Sequence, residues 1–557
     1  MRLTVIHGVT FGSGPGTESR PPETATPAVA AQPWPRPAAH GALSSAARVM
    51  RLATALAGLA AIAAYLFVAL SRLGYPFPVE WLESNSLVEV HRILAGRPLY
   101  TAPTVQYVPD GYPPLYFAVS AGLARVLGVS YLTLRLVSLV SSLCCFALLA
   151  RLVQRETGSL AAGIGAAGLF AAAYSVTDTW FDVGRVDSLF LALSIGGLYA
   201  ARWMRRTPGA VAAGVLLAGA ALTKQTGLAE GVVVVAALLT GPRRGLACVA
   251  ALTEITVLGV STLVLGLASG GWYVYYVFEL MGEHSLAGSG FAWFWTALAT
   301  GVGLAACAAL IGAPRVPRVL AAGCAALAVE GYAALVHSDG TINDVLPAYL
   351  AVALLAGLAL GRGAAAGRGT ASGGRAAWSW RVTVAPAVLI LAQVAVLLAG
   401  LRPSQAIPTP ADRSVGEQVL AGLRAIGGTV AVPGDPGLSL MAGMAPAAQE
   451  DAAHDVLRAS DQAAIDSFRR SAARAVAGRR FSAIITGSPG PPFANPASLS
   501  RYYHRCAQPL LAGVPAGVFV PVAGARVRPE YVWLPRGGDS CATAVRLLDG
   551  AGEGGRR

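Results

Sequence analysis

Two glutamates, Glu80 and Glu83, stand three residues apart in "GYPFPVEWLESNS", directly after the first long apolar run of the chain. On a helix that spacing puts both carboxylates on one face, and Trp81 and Leu82 between them suit a membrane–water interface. A carboxylate in a partly apolar surround gains proton affinity and can serve as a general base. An ordinary solvated loop with an aromatic anchor gives the same pattern, and spacing alone does not separate the two.

Other groups with chemical potential follow. "FDVGRVDSLF" sets Asp182, Arg185 and Asp187 at the mouth of an apolar run. There Arg185 either clamps an acid or grips a phosphate with its forked guanidinium. "ALTKQTGL" carries Lys224, the sole lysine of the chain. At a helix end it either snorkels to the headgroups or neutralises a lipid phosphate. "DGYPPLYF" brings Tyr112 and Tyr116 to the interface around Pro113 and Pro114, and taken alone reads as an architectural turn. "HSDGTINDVLPAY" supplies His337, Asp339, Asn343 and Asp344, suited to sugar hydroxyls or to helix capping. No His or Cys group has metal-centre spacing, and HExxH and Walker A motifs are absent. No cofactor is expected, with a divalent ion left open.

The elements that must position these groups are membrane helices. Of 557 residues, 55% are hydrophobic and only 13% charged, with mean hydropathy +0.57; soluble proteins carry about 25% charged residues. The formal charge of +13 sits largely as arginine in gaps between apolar runs. That is the bias of cytoplasmic loops, not the footprint of nucleic-acid binding. A bilayer core needs about 20 apolar residues of helix. Candidate spans are 49–71, 131–150, 159–176, 187–203, 208–222, 228–240, 246–268, 291–312, 318–336, 344–361 and 381–401.

The stretch 114–128 is short, holds Arg125 and starts at Pro-Pro, so it reads as re-entrant or interfacial. With it uncounted, the arginine-bearing gaps all fall inside, and the N-terminus lies inside and the C-terminus outside. The expected fold is an α-helical polytopic membrane protein of about 11 transmembrane helices. Residues 1–48 form a disordered cytoplasmic segment rich in Pro, Ala and Thr. Residues 49–404 form the transmembrane domain with first extracytoplasmic loop 72–113, and 405–557 a small extracytoplasmic α/β domain. In that last domain "GGTVAVPGD" and "RFSAIITGS" predict short buried strands, and "EDAAHDVLRASDQAAIDSFRRSAARAVAG" an amphipathic helix. Cys506 and Cys541 lie there as either a bridge or two unrelated thiols.

Taken together and in order, these fragments resemble the polytopic GT-C membrane glycosyltransferases, in particular the bacterial members grouped with the protein mannosyltransferases and the Rgt-type sugar transferases. The resemblance runs over roughly 75–360: "VEWLESNSLVEVHRILAGRPLY", "YPPLYFAVSAGLARVLG", "LRLVS", "FDVGRVDSL", "TKQTG" and "NDVLPAY". It implies inverting transfer of a sugar from a polyprenyl-phosphate donor, at the extracytoplasmic face of the plasma membrane, to an envelope glycan, lipid or protein. The acid that deprotonates the acceptor would be Glu83, with Glu80 the close runner-up, because an adjacent Asp-Glu pair is replaced here by Glu-x-x-Glu. Arg185 and Lys224 would hold the donor phosphate, and Asp182, Asp187, Tyr112, Tyr116, His337 and Asn343 would line the substrate site. A transporter or flippase for a lipid-linked precursor is the rival reading. It expects repeats and acids near mid-bilayer, whereas the polar residues here gather towards one face.

Overall fold

The computed structural model describes residues 38–312, 316–366, 384–490, 493, 496–538 and 540–549. Every expected span is helical within the described residues, and 381–383 of the last one lie outside them. The first nine helices are α1 (Ala38–Leu73), α2 (Glu83–Leu94), α3 (Leu115–Leu127), α4 (Tyr131–Thr157), α5 (Leu160–Ala172), α6 (Asp187–Trp203), α7 (Thr207–Ala221), α8 (Gly227–Leu239) and α9 (Arg244–Ala268). Helices Gly288–Gly312, Arg318–Leu335, Leu346–Ala366 and Ala385–Gly400 complete the bundle. Among the described residues six helices are long and apolar enough to cross a membrane, and a seventh counts if Ala385–Gly400 and the helix after it, bent by 59°, form one span. α5, α7 and α8 are shorter apolar helices. α1 already begins at Ala38, so the end of the segment expected to be disordered is helical. Its earlier part, with "GSGPGT", lies outside the described residues.

Local chemistry sets the helix limits. Ser130 caps α4 by accepting from the Thr133 amide, and Gly158, at φ 72°, ends it. Pro114 opens α3 and Gly128 closes it after 13 residues, about 20 Å of helix against a core of about 30 Å. α1 and α5 cross where neither has room for a side chain: a Cβ on Gly168 would stand 2.0 Å from the Gly58 Cα. Such small-residue contacts let helix backbones approach closely in a membrane.

The C-terminal region is an α/β unit around a four-stranded sheet of order β1-β2-β4-β3. Its strands are β1 (Val430–Ala431), β2 (Ala483–Thr486), β3 (Tyr503–Arg505) and β4 (Tyr531–Pro535). β1 and β2 are parallel with Val430 opposite Ala483; β4 runs antiparallel to both β2 and β3. Both expected strands are present. The single expected helix is two, Glu450–Arg458 and Gln462–Ala477. Asp461 breaks it by capping the Ala463 and Ala464 amides. Cys506 and Cys541 are joined in a disulfide. The unit docks on the first loop through Ala523 N–H to the Val79 carbonyl and Ala448 N–H to the Val105 carbonyl, each 2.9 Å. Phe77 meets Phe519 edge-on at 5.3 Å.

Candidate active site

Glu80 and Glu83 do not share a helix face. Pro76 and Pro78 keep the chain out of a helix, Glu80 forms an isolated bridge with Ala523, and α2 starts only at Glu83. The two acids consequently live in different surroundings. Glu83 is fully buried and its carboxylate is saturated. Arg135 of α4 donates to it through Nε at 3.0 Å and Nη2 at 2.7 Å. The amides of Val79 at 2.8 Å and Gly184 at 2.6 Å take the remaining lone pairs. Glu80 is equally buried, yet neither oxygen has a hydrogen bond of good geometry. Its cationic neighbour is Arg185, whose Nε lies 3.8 Å away. Burial pushes the Glu80 carboxyl up to about 8, against the partial relief of Arg185.

Arg185 stands between two acids. Its Nη1 is 3.8 Å from Asp110 Oδ2, an oxygen without a hydrogen bond, and Tyr112 lies beneath the guanidinium with 5.3 Å to the ring centre. Asp110 Oδ1 accepts from Asn85. Burial raises the Asp110 carboxyl as well, with Arg185 and Asn85 opposing. Across from Arg185, Lys224 Nζ bridges Asp187 and Asp344 at 3.0 Å each. Asp187 also accepts from the Trp180 indole at 2.8 Å.

These groups border a cavity of about 630 Å³ between the helix bundle and the C-terminal unit. Trp81, Asp110, Tyr112, Arg185 and Lys224 line one side, and His337, Asn343 and Asp344 the next. Asp451 and Asp455 come from the far domain. The structure therefore gathers Arg185, Lys224, Tyr112, His337 and Asn343 in one place, with Asp187 behind Lys224 and Glu80 behind Arg185.

Glu83, Asp182 and Tyr116 are elsewhere. Asp182 takes a two-pronged pair from Arg72 at 2.8 and 2.7 Å and a bond from Tyr174 at 2.7 Å, which makes it a structural anchor. Tyr116 is buried and donates to the Leu134 carbonyl at 3.1 Å.

Sequence reasoning passed over Asp110, although it stands in the quoted "DGYPPLYF", because a Pro-Pro turn already accounted for that segment. It also missed the acids of the C-terminal unit, which no motif connects to the helices. At the cavity mouth His284, Asp339 and Asp455 bring ligating atoms within 4.8 Å of one another. Arg458 already pairs with both acids, at 2.6 Å from Asp455. Inside the bundle Glu230, Glu254 and Glu330 are buried, with Thr226 donating to Glu330 and both Glu230 oxygens unpartnered. These three were not singled out from sequence, since each sits alone in an apolar run.

No family model matches the sequence, and a search of curated proteins finds no relative. Solved structures do match. ArnT from Cupriavidus metallidurans, both bound to undecaprenyl phosphate and in the apo state, superposes with a TM-score of 0.54 at 13% identity. The superposition covers 85% of this chain and 97% of that one. A looser likeness, with a TM-score of 0.44 at 11% identity, extends over 76% of this chain and 69% of the archaeal oligosaccharyltransferase AglB from Archaeoglobus fulgidus. The chain shares the fold of ArnT, and at least six of its described helices are long and apolar enough to cross a membrane.

Proposed function

We propose that the protein is an inverting glycosyltransferase that moves a hexose or pentose from a polyprenyl-phosphate donor to an envelope glycan, lipid or protein. The observation that carries this reading is Arg185, held loosely at 3.8 Å between the under-bonded carboxylates of Glu80 and Asp110. A guanidinium with an unused Nε–H is ready for a phosphate, and an acid with free lone pairs and a proton affinity near working pH is ready as a base. Of the first-loop acids, Glu80 has neither oxygen in a hydrogen bond of good geometry, while Glu83 spends its own on Arg135 and two amides. The base role therefore goes to Glu80, and Glu83 holds the loop in place.

In the step, Glu80 takes the proton of the acceptor hydroxyl as its oxygen bonds the anomeric carbon. The carbon–oxygen bond to the phosphate breaks, and that electron pair leaves with the polyprenyl phosphate. Charge building on the leaving oxygens is met by Arg185, with Lys224 beyond it. Asp187, Tyr112, His337 and Asn343 orient the sugar. ArnT, solved with undecaprenyl phosphate, supports a lipid-phosphate donor.

We further place all of the expected spans across the plasma membrane, about 11 in number, with the N-terminus cytoplasmic and the C-terminal unit outside. The Cys506–Cys541 disulfide is in keeping with an oxidising compartment. The test is release of polyprenyl phosphate and sugar transfer by protein in nanodiscs, across a panel of polyprenyl-phosphate sugars and envelope extracts. Wild-type turnover by Glu80→Gln would remove the assigned base. Movement of a lipid-linked precursor is the second reading, favoured by the buried, unpartnered Glu230. It requires flipping of an intact donor in the absence of acceptor, lost in Glu230→Gln.

A further inference from the structure

Three segments far apart in the chain meet at the mouth of the cavity between the bundle and the C-terminal unit. The turn 283–287 leads into helix Gly288–Gly312, and residues 336–340 follow helix Arg318–Leu335. Helix Glu450–Arg458 comes from the C-terminal unit. Backbone bonds hold the two loops together: Ala287 N–H to the Val336 carbonyl at 2.7 Å and Ser338 N–H to the Ser285 carbonyl at 2.9 Å. Ser460, just past the helix, donates to Glu283 through its amide at 2.5 Å and its hydroxyl at 2.7 Å. Each segment gives one side chain to the cluster of His284, Asp339 and Asp455, so the backbone presets their positions.

The three side chains converge on one atom. Arg458 Nη2 lies 3.1 Å from His284 Nε2 and 2.6 Å from Asp455 Oδ1, and it also pairs with Asp339 Oδ2. A guanidinium only donates, so Nε2 is the bare ring nitrogen and its lone pair faces the cation. One imidazole lone pair and one oxygen from each of two carboxylates thus surround a single positive centre. That is the donor set of a three-ligand metal site, met here by a tethered cation. Arg458 is the last residue of its helix, and its side chain is 28% exposed, so it has water beside it to swing into. Asp451, one turn before Asp455, lines the same cavity and adds negative charge.

We propose that His284, Asp339 and Asp455 form a binding site for a divalent transition ion of the zinc type, which exchanges with the Arg458 guanidinium. The site does not depend on the transfer step, in which none of the three takes part. One nitrogen and two oxygen donors suit Zn²⁺, whereas Mg²⁺ and Ca²⁺ take oxygen ligands. Two carboxylates, a neutral imidazole and a divalent ion sum to zero charge; with Arg458 one negative charge is left over. Three protein ligands leave the fourth tetrahedral position open, and all three residues line the cavity. The ion ties the C-terminal unit to both bundle loops, so its binding stabilises the docked arrangement.

The experiment is a metal titration of the full chain in nanodiscs, stripped with chelator and with free thiols alkylated. Co²⁺ is read by its visible d–d bands, and Zn²⁺ by the loss of those bands. Wild type is expected to take up one Co²⁺ per chain, displaced by Zn²⁺ and not by excess Mg²⁺ or Ca²⁺. His284→Gln and Asp455→Asn should each weaken binding at least about tenfold, since loss of a mere outer-shell partner already costs about 10–100-fold. Arg458→Gln should bind at least about tenfold more tightly, because a like charge no longer occupies the position of the ion. A misfolded chain cannot give that gain, so the test stands even where a ligand variant is unstable. Absence of binding in both wild type and Arg458→Gln overturns the site. Binding unchanged in both His284→Gln and Asp455→Asn puts the ion elsewhere and overturns it too. Equal competition by Mg²⁺ or Ca²⁺ overturns the zinc-type chemistry, and Arg458→Gln binding no more tightly than wild type overturns the exchange.

Discussion

Replacing each first-loop glutamate by glutamine should separate stability from catalysis. Glu83 accepts four hydrogen bonds in a fully buried position, two of them from Arg135. Glutamine keeps the shape but exchanges one acceptor oxygen for an NH₂ group. Whichever way the amide turns, that group faces two donors, either Arg135 Nε and the Gly184 amide or Arg135 Nη2 and the Val79 amide. Arg135 is itself fully buried and keeps one bond to the remaining amide oxygen besides its carbonyl partners, at 2.7 Å from Tyr75 and 2.6 Å from Phe77. Breaking a buried pair from one side costs about 3–5 kcal/mol. In a chain of this size that corresponds to a melting shift of about 3–5 °C. Glu80 has no hydrogen bond of good geometry to lose, and its neutral form is favoured by burial, so Glu80→Gln should melt within about 1 °C of wild type. Its transfer rate should nonetheless fall about 10²–10⁴-fold. The assay pairs differential scanning fluorimetry with polyprenyl-phosphate release on the same nanodisc preparations. If Glu83→Gln melts like wild type while Glu80→Gln loses stability, the assignment of clamp and base is reversed.

The pH profile follows from the same burial. With Glu80 raised to about 8, the carboxyl is protonated and inert as a base at lower pH. kcat/KM should therefore rise about tenfold per pH unit and level off near that value; a flat profile from pH 6 to 9 refutes the base. Lys224→Ala leaves Asp187 and Asp344 without their shared cation. It should raise the donor KM about tenfold or more, and an unchanged donor KM would make Lys224 a purely structural cation. Alkylation of denatured, unreduced protein should modify five of the seven cysteines, and all seven after reduction. Cys506→Ser should lower the melting point, since closing such a loop stabilises by about 3–4 kcal/mol; seven alkylated thiols before reduction would dismiss the bridge.

The helices were legible because an apolar run long enough to cross a membrane has few other uses, and serine and glycine mark its ends. The cluster of Arg185, Lys224, Tyr112, His337 and Asn343 was legible as one face because each lies at the same kind of helix end. Pairings across the chain were not. Arg135 reaches Glu83 over 52 residues and Arg72 reaches Asp182 over 110, and local spacing holds no trace of either. That is why Glu83, the residue best matched by resemblance, has the environment of an anchor. Asp110 and the acids of the C-terminal unit were hidden for the same reason: the cavity they border exists only after two distant parts of the chain meet.

The Gly524 amide bonds Asp178, 346 residues earlier in the chain. At about 5–20 residues per second of synthesis, roughly 20–70 seconds separate the emergence of these partners. During that interval the first loop and its unsaturated glutamate are already delivered to the membrane surface without a roof. A nascent chain is thus exposed to water at the point where the finished protein is dry.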